Sequence, residues 1–511
     1  MMEISWVFIA LGAWIIALAF LSKKFNHPKR KLPPGPRPWP IIGNLNLLGS
    51  LPHESLHHLS QKYGDLMLLK FGSKPVLIAS SPEMAKEILK THDAIFASRP
   101  ALAAGKYISY NYSDMTWAPY GAHWRQARKI YLTEIFNPRR LASLEYIRVE
   151  ERRILISRLF PLSGKPIMLK DHLPLFALQT ISRLVMSKKY FSDHYDQSNS
   201  DISIVSFETL QRMLDEWFFF GGAINLGDWV PWLSWFDFQG YVKKMKVLGK
   251  NLTEFHKYVL EDHKAKREAE KNYTPTDMVD VLLNLADDNL EIKLTTDSLM
   301  GLIQNLLVGA TDTSALTIEW VFQELLRKPN IMEKAYQELD RAIGKERWVE
   351  EEDFSQIPYI DAIIKETFRL HPLCTLLPPH YSIDDCNVAG YDIPKGTTVY
   401  VNAWSLGRNP KYWDRSEEFM PERFIENDID MKGQNFTLLP FGSGRRRCPG
   451  YSLGIKVVQT TLANLLHGFN WKLAGDMKPE DISMEETYGL TTHPNKPISM
   501  IMEPRLPLHL Y

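Results

Sequence analysis

Cysteine is scarce in this chain, with only Cys374, Cys386 and Cys448 among 511 residues. An odd count with no Cys-x-x-Cys pair excludes a complete disulfide framework and a cysteine-based zinc site, and it suits a reducing compartment. Cys374 and Cys386 read as small buried apolar residues. Net charge is also missing: 60 Lys and Arg balance 60 Asp and Glu, a formal net charge of +0. There is thus no basic surplus to point to nucleic acid and no acidic surplus to point to disorder. No internal repeat or low-complexity stretch appears, which sets aside solenoids and flexible spacer chains. What remains is an ordinary globular composition, 45% hydrophobic and rich in Trp (14) and Phe (24).

The apolar run from Ile4 to Leu21 approaches the roughly 20 residues that span a bilayer core. Glu3 precedes it, and Lys23, Lys24, Lys29, Arg30 and Lys31 follow. Positive charge stays cytoplasmic, so the run reads as an uncleaved anchor with the body on the cytosolic side. A secretory signal would carry its positive charge before the run. The sequons at Asn111, Asn251, Asn272 and Asn435 then never meet the lumen. Prolines from Leu32 to Pro40 make a stiff elbow. The expected organisation is an anchor over 1–22, a basic, proline-rich hinge over 23–43 and a catalytic domain over 44–511.

Helical patterns dominate the body, with a smaller β region. A hairpin is expected between Gly64 and Ala79, and Ser81-Pro82 reads as a helix start. Residues Ala101 to Tyr120 read as one long loop. Trp124 and Arg128, four apart, share a face of a basic helix. The segment from Glu216 to Tyr241 is too aromatic for a connector; core, substrate lid and membrane-dipping loop all remain open for it. A charged helix is expected from Asn251 to Lys271. The longest pattern runs from Thr295 to Arg327 and ends at Pro329. Its middle, Gly309-Ala310-Thr311-Asp312-Thr313-Ser314, is weakened by hydroxyls and glycine. The spacing puts Asn305, Gly309, Asp312 and Thr313 on one face, and a buried Asp beside a Thr suits proton delivery. Further on come Glu366-x-x-Arg369 on a helix, a hairpin over Val388–Val401 and Pro421-x-Arg423-Phe424 in a loop.

The stretch Phe441-Gly442-Ser443-Gly444-Arg445-Arg446-Arg447-Cys448-Pro449-Gly450 sets one cysteine among glycines and arginines, before a helix pattern. Glycines allow close backbone approach, backbone N–H groups and a helix N-terminus favour a thiolate, and an arginine neutralises a carboxylate. Those are the needs of a heme iron's axial sulfur, a ligand that favours O–O cleavage.

With these pieces assembled, the chain resembles a cytochrome P-450 monooxygenase. Phe441-x-x-Gly444-x-Arg446-x-Cys448-x-Gly450 is similar to the family's heme loop, and Glu366-x-x-Arg369 with Pro421-x-Arg423-Phe424 to its buried ion cluster. Trp124-x-x-x-Arg128 is similar to its propionate-binding helix, and Gly309-Ala310-x-Asp312-Thr313-Ser314 to its oxygen-activation helix. The resemblance implies the mainly α fold of that family, heme b on Cys448, and propionates held by Trp124, Arg128, Arg446 and His380. It implies a structural triad of Glu366, Arg369 and Arg423, and Asp312 with Thr313 as an acid–alcohol proton relay. It implies NADPH-cytochrome P-450 reductase and O2 as partners at the endoplasmic reticulum membrane, with Lys129, Arg445 and Arg447 as docking contacts. The substrate-pocket positions fall at Asn305, Gly309, Ala310, Leu373, Leu376, Leu377 and Leu490, within segments that include Ala101–Trp117, Phe207–Asn225 and Thr491. Two positions depart from the family pattern: Ala310, where glycine is usual, and His380, where related plant enzymes often carry arginine.

The overall style resembles plant A-type microsomal enzymes, near flavonoid B-ring hydroxylases and terpenoid oxidases. The leucines favour a greasy substrate, a terpenoid ahead of a flavonoid. A reductase-independent heme-thiolate isomerase or lyase is the second class, and the Asp312–Thr313 pair speaks against it. A non-enzymatic heme-binding scaffold is the third.

Overall fold

The computed structural model describes residues 12, 14, 30–192, 204–270, 273–287, 292–427 and 429–511. The expected anchor over 1–22, apart from Gly12 and Trp14, and hinge residues 23–29 lie outside the described residues. Among the described residues no helix is long and apolar enough to cross a membrane.

The site depends on a subset of elements. Strands β1 (Leu66–Phe71) and β2 (Lys74–Ala79) form the expected antiparallel hairpin. Then come helices α1 (Ala122–Ile130), α2 (Leu173–Met186), α3 (Phe207–Gly222), α4 (Tyr241–Ala269), α5 (Thr296–Arg327) and α6 (Pro358–Leu370). Strands β3 (His380–Tyr381) and β4 (Thr398–Val401) join the hairpin in a four-stranded sheet of order β1-β2-β4-β3, with β2 and β4 parallel. Helix α7 (Tyr451–Gly468) follows the cysteine loop, and strands β5 (Glu486–Thr487) and β6 (His493–Pro494) pair near the C-terminus.

Helix α5 is the axis of the body. The Thr295 hydroxyl caps it by accepting from Ser298 N–H, and Lys328, held out of helical conformation before Pro329, ends it. It is buried on every side, because α2, α6 and α7 pack along it.

Three readings of the sequence change in the structure. Residues 101–120 carry a short helix, Ala103–Tyr107, within the expected loop. The charged helix starts at Tyr241, ten residues early. The 388–401 segment is not one hairpin: Cys386–Val388 pairs with Tyr391–Ile393, and Thr398–Val401 leaves to join the main sheet. The period-2 pattern does not reveal which sheet a strand joins.

The aromatic segment divides its labour. Trp217, Phe218, Phe220 and Trp229 are buried, and Trp229 meets Phe71 edge-on at 5.2 Å and accepts from Ser73 N–H. Trp232, Trp235, Phe236 and Phe238 face solvent, with Trp235 89% exposed.

Candidate active site

The floor of the site is the loop before α7. Its fold is set by Cys448 N–H donating to Phe441 C=O at 2.9 Å and by the Ser443 hydroxyl donating to Gly433 C=O at 2.6 Å. Gly444 has φ +67, and a Cβ there would lie 2.1 Å from Leu89 O, so both conformation and space require glycine. The Phe441 ring meets Phe368 edge-on at 5.6 Å, which ties the loop to α6. Burial pushes the Cys448 thiol up, against the pull of Gly450 N–H, Arg128 and Arg447. The loop's dipoles therefore do not make the thiolate alone; a bound cation would, since a coordinating thiol is deprotonated outright.

Above Cys448 lies a cavity of about 300 Å³, bounded opposite by Gly309, Ala310 and Thr313 of α5. At its rim, Arg446 donates to the carbonyls of Ala97, Met115 and Ala118 and lies 4.4 Å from the Trp124 ring. Trp124 Nε1–H donates to Met115 C=O at 3.1 Å, and Arg128 donates to Arg447 C=O at 2.6 Å. A third cation, Arg99, donates to the carbonyls of Thr116, Pro378 and Pro379. Among the described residues none of these three guanidiniums is ion-paired with a carboxylate. Burial holds Arg446 down to about 8 and Arg99 and Arg128 down to about 10. Buried cations without partners are costly, and a flat group bearing two carboxylates would supply the partners. The site fits heme on that ground.

Arg99 was not among the sequence candidates. Its only signal is a single arginine closing the run Ala94-Ile95-Phe96-Ala97-Ser98 before Pro100. His380 lines the same cavity, but not as an extra cation. Burial pushes its pKa well below the usual range, and Nδ1 faces Phe96 C=O at 2.9 Å. A carbonyl can only accept, so Nδ1 carries the proton and Nε2 is left as an acceptor. That geometry does not suit a carboxylate.

On the opposite wall, a Cβ added at Gly309 would meet nothing within 4 Å, so helix packing is not the reason for glycine there. The expected weak point does not break α5. Thr311, Thr313 and Thr317 turn their hydroxyls back to the carbonyls four residues earlier, and the helix stays continuous. Thr313 lines the cavity; Asp312 does not. Consecutive helical residues point about 100° apart, and the cavity-facing arc centres on Leu306, Ala310 and Thr317. Asp312 instead accepts from the Thr491 hydroxyl at 2.9 Å, with His493 Nε2 at 3.6 Å. Burial raises its pKa, and His493 and Thr491 oppose that shift.

Asn305 lines the cavity as well, yet its amide is already used. It accepts from Met115 and Thr116 N–H and donates to Asp114, so it pins the 114–116 loop. Leu373, Leu377 and Leu490 face the cavity with Trp217 and Phe218. Leu376 does not. It lies in a separate cavity of about 30 Å³ beside Trp229 and Tyr400.

Behind the floor, Arg369 grips Glu366 by two bonds of 2.7 Å, both side chains 0% exposed. Arg423 Nε–H reaches the same carboxylate at 3.1 Å, and Arg369 also donates to the carbonyls of Gly407, Ser416 and Glu418. On the surface, Arg445 pairs with Asp93 at 2.8 Å, Arg447 donates to Lys432 C=O, and Lys129 is exposed.

A half-buried cysteine facing a hydroxyl-bearing helix across an apolar cavity, ringed by guanidiniums with no carboxylate in contact, defines a thiolate-ligated heme protein. The family model for cytochrome P450 matches residues 33–501, and the chain belongs to that family. It is 42% identical to a trimethyltridecatetraene synthase of Zea mays over 98% of this chain and 94% of that protein. It is 39% identical to a flavonoid 3'-monooxygenase of Petunia hybrida over 97% and 96%. A zebrafish cytochrome P450 structure with abiraterone shares the fold, with a TM-score of 0.75 at 24% identity over 89% of this chain and 100% of that one. The protein is a heme-dependent cytochrome P450 monooxygenase, mostly helical with a smaller sheet region.

Proposed function

We propose that the enzyme hydroxylates a hydrophobic plant specialised metabolite held between Thr313 and Cys448, with a terpenoid favoured. The observation that carries this is the substrate side of the cavity. Leu373, Leu377, Leu490, Trp217 and Phe218 line it, while the nearest polar amide, Asn305, is spent on the 114–116 loop. Such walls orient a substrate by shape and exclude water rather than by polar handles. A flavonoid or other phenolic is the alternative, and the similarity to a flavonoid 3'-monooxygenase supports it.

Heme, when bound, supplies an iron whose cysteine ligand pushes electron density toward O–O cleavage. The chain's own residues do the rest. Cys448 would hold the heme iron, on a loop shaped by Phe441, Gly444 and Gly450. Arg446, Arg128 and Arg99 would neutralise propionates, with Trp124 backing Arg446. Thr313 offers a hydroxyl at the oxygen-binding face, where Gly309 leaves room and the Ala310 methyl narrows it. Asp312 holds the proton to be delivered. Glu366, Arg369 and Arg423 lock α6 to the 407–423 segment so that the floor keeps its shape.

Electrons come from NADPH through cytochrome P-450 reductase, with exposed Lys129 a docking contact; Arg445 and Arg447 are partly engaged within the chain. Residues 1–22 anchor the enzyme in the endoplasmic reticulum membrane, 23–43 form the hinge, and 44–511 are the cytosolic catalytic domain. The exposed Trp232, Trp235, Phe236 and Phe238 fit a surface that rests on the same bilayer.

The test is expression in microsomes with a reductase, screening spin-state shifts and NADPH-dependent products against terpenoid and phenolic panels. Terpenoids are expected to shift the spectrum and yield oxygenated products. Response to phenolics alone would move the assignment to the alternative.

A further inference from the structure

We propose that His493 passes protons from solvent to Asp312 through the hydroxyl of Thr491. This rests on the reading of Asp312 and Thr313 as a proton-delivering pair. Asp312 turns away from the cavity, and the first group it meets is Thr491, whose O–H donates to Asp312 Oδ2 at 2.9 Å. His493 Nε2 lies 3.2 Å from that same hydroxyl oxygen and 3.6 Å from the carboxylate. Thr491 is 0% exposed, whereas the His493 side chain is 36% exposed. The imidazole is therefore the most exposed of the three, Asp312 being 8% exposed at its side chain.

Two hydrogen bonds in series carry one proton. His493 Nε2–H goes to Thr491 Oγ1, the Thr491 proton goes to Asp312 Oδ2, and water restores the imidazolium. Imidazole is the side chain suited to exchange with water near neutral pH. The path is held in place on both sides of Thr491. Leu490 N–H donates to Phe218 C=O on α3, Thr492 N–H donates to Leu373 C=O, and Trp320 on α5 donates to Thr492 C=O.

The charged groups around His493 are carboxyls from two helices. Asp312 lies on α5 and Asp215 on α3 beside Glu216, while Thr487 is its uncharged partner across β5. Burial, then the charge of Asp312, pushes Asp215 up to about 6. Two turns along α5, burial raises Glu319 to about 7, close to Lys170 and Asp171. These acids lie in the range where protons are exchanged.

The test uses the heme-loaded enzyme with reductase. His493→Gln keeps a hydrogen-bonding side chain but cannot take up and release a proton; His493→Phe keeps neither property. Thr491→Val interrupts the path without changing shape. All three are expected to slow turnover about tenfold or more with product per NADPH unchanged, because supply is cut but delivery is not misdirected. A purely structural role would spare His493→Gln. A second readout is the infrared carboxyl band of Asp312, assigned by its loss in Asp312→Asn. Its titration midpoint is expected to rise in His493→Gln, since a neighbouring cation is gone. If Asp312→Asn is slow while His493→Gln keeps the wild-type rate, pH profile and band midpoint, the His493 proposal is overturned and the Asp312–Thr313 reading stands. If Asp312→Asn turns over like wild type, that underlying reading falls and takes the proposal with it.

Discussion

Two guanidiniums converge on the fully buried Glu366. It receives Arg369 through two bonds, Arg423 through one, and Met420 N–H at 2.7 Å, with no exposed surface. Removing one member of such a cluster leaves an opposite charge stranded in low dielectric, which costs about 3–5 kcal/mol. Glu366→Gln is therefore expected to lower unfolding free energy by about that amount, read by chemical denaturation of the heme-loaded protein. A loss under about 1 kcal/mol would place the cluster at the level of a surface pair. The Glu366–Arg369 pair was legible because residues three apart on one helix face the same way whatever the fold, whereas its burial and the link to Arg423, 57 positions away, came only from the family resemblance. Arg99 and His493 were not legible. Their neighbours come from distant parts of the chain, Thr491 lying 179 positions from Asp312. His380 makes a related point. Histidine's charge is decided by burial and by Phe96 C=O, neither of which the local sequence encodes.

At the scale of the element, α5 carries a deliberate gap. Gly309 has helical neighbours and open space above its Cα, so the glycine lowers helix propensity with no packing gain. Alanine there restores up to about 1 kcal/mol of propensity. Gly309→Ala is expected to raise Tm while weakening spin-state shifts with bulky substrates, because the new methyl enters the cavity beside Ala310. A variant with unchanged substrate binding would mean that the gap serves no ligand. The length and limits of α5 were readable from Thr295, the apolar pattern and Pro329. Its rotation was not. A face shared on the helical wheel by Asn305, Gly309, Asp312 and Thr313 spans about 100°, and neighbours decide which edge opens to the cavity. Here Gly309 and Thr313 fall inside and Asp312 falls outside. The 373–377 segment repeats the lesson: Leu373, Cys374 and Leu377 face the site and Leu376 turns its back.

At the scale of the whole molecule, the β1–β2 turn holds Trp229, and Trp232, Trp235, Phe236 and Phe238 are carried outward from it. A chain lacking residues 1–22 is expected to keep binding to phospholipid vesicles through this patch. Replacing the four exposed aromatics by serine should release it, measured by vesicle flotation; undiminished binding would assign the affinity elsewhere. The fold class was readable because helix periods dominate the sequence. The split of the 216–241 segment into core and surface needed the hairpin to be in place.

The three unpaired guanidiniums have a consequence for biogenesis. A newly made chain that closes before receiving its prosthetic group must bury Arg446, Arg128 and Arg99 with no carboxylate in contact, Asp114 acting on Arg446 and Arg99 only at longer range. Whatever binds only the folded form pulls the folding equilibrium toward it. Completion of the chain and capture of the dianion are then one thermodynamic event. In a producing cell, the steady-state amount of this protein should follow porphyrin supply rather than transcript level, with the surplus polypeptide left to proteolysis.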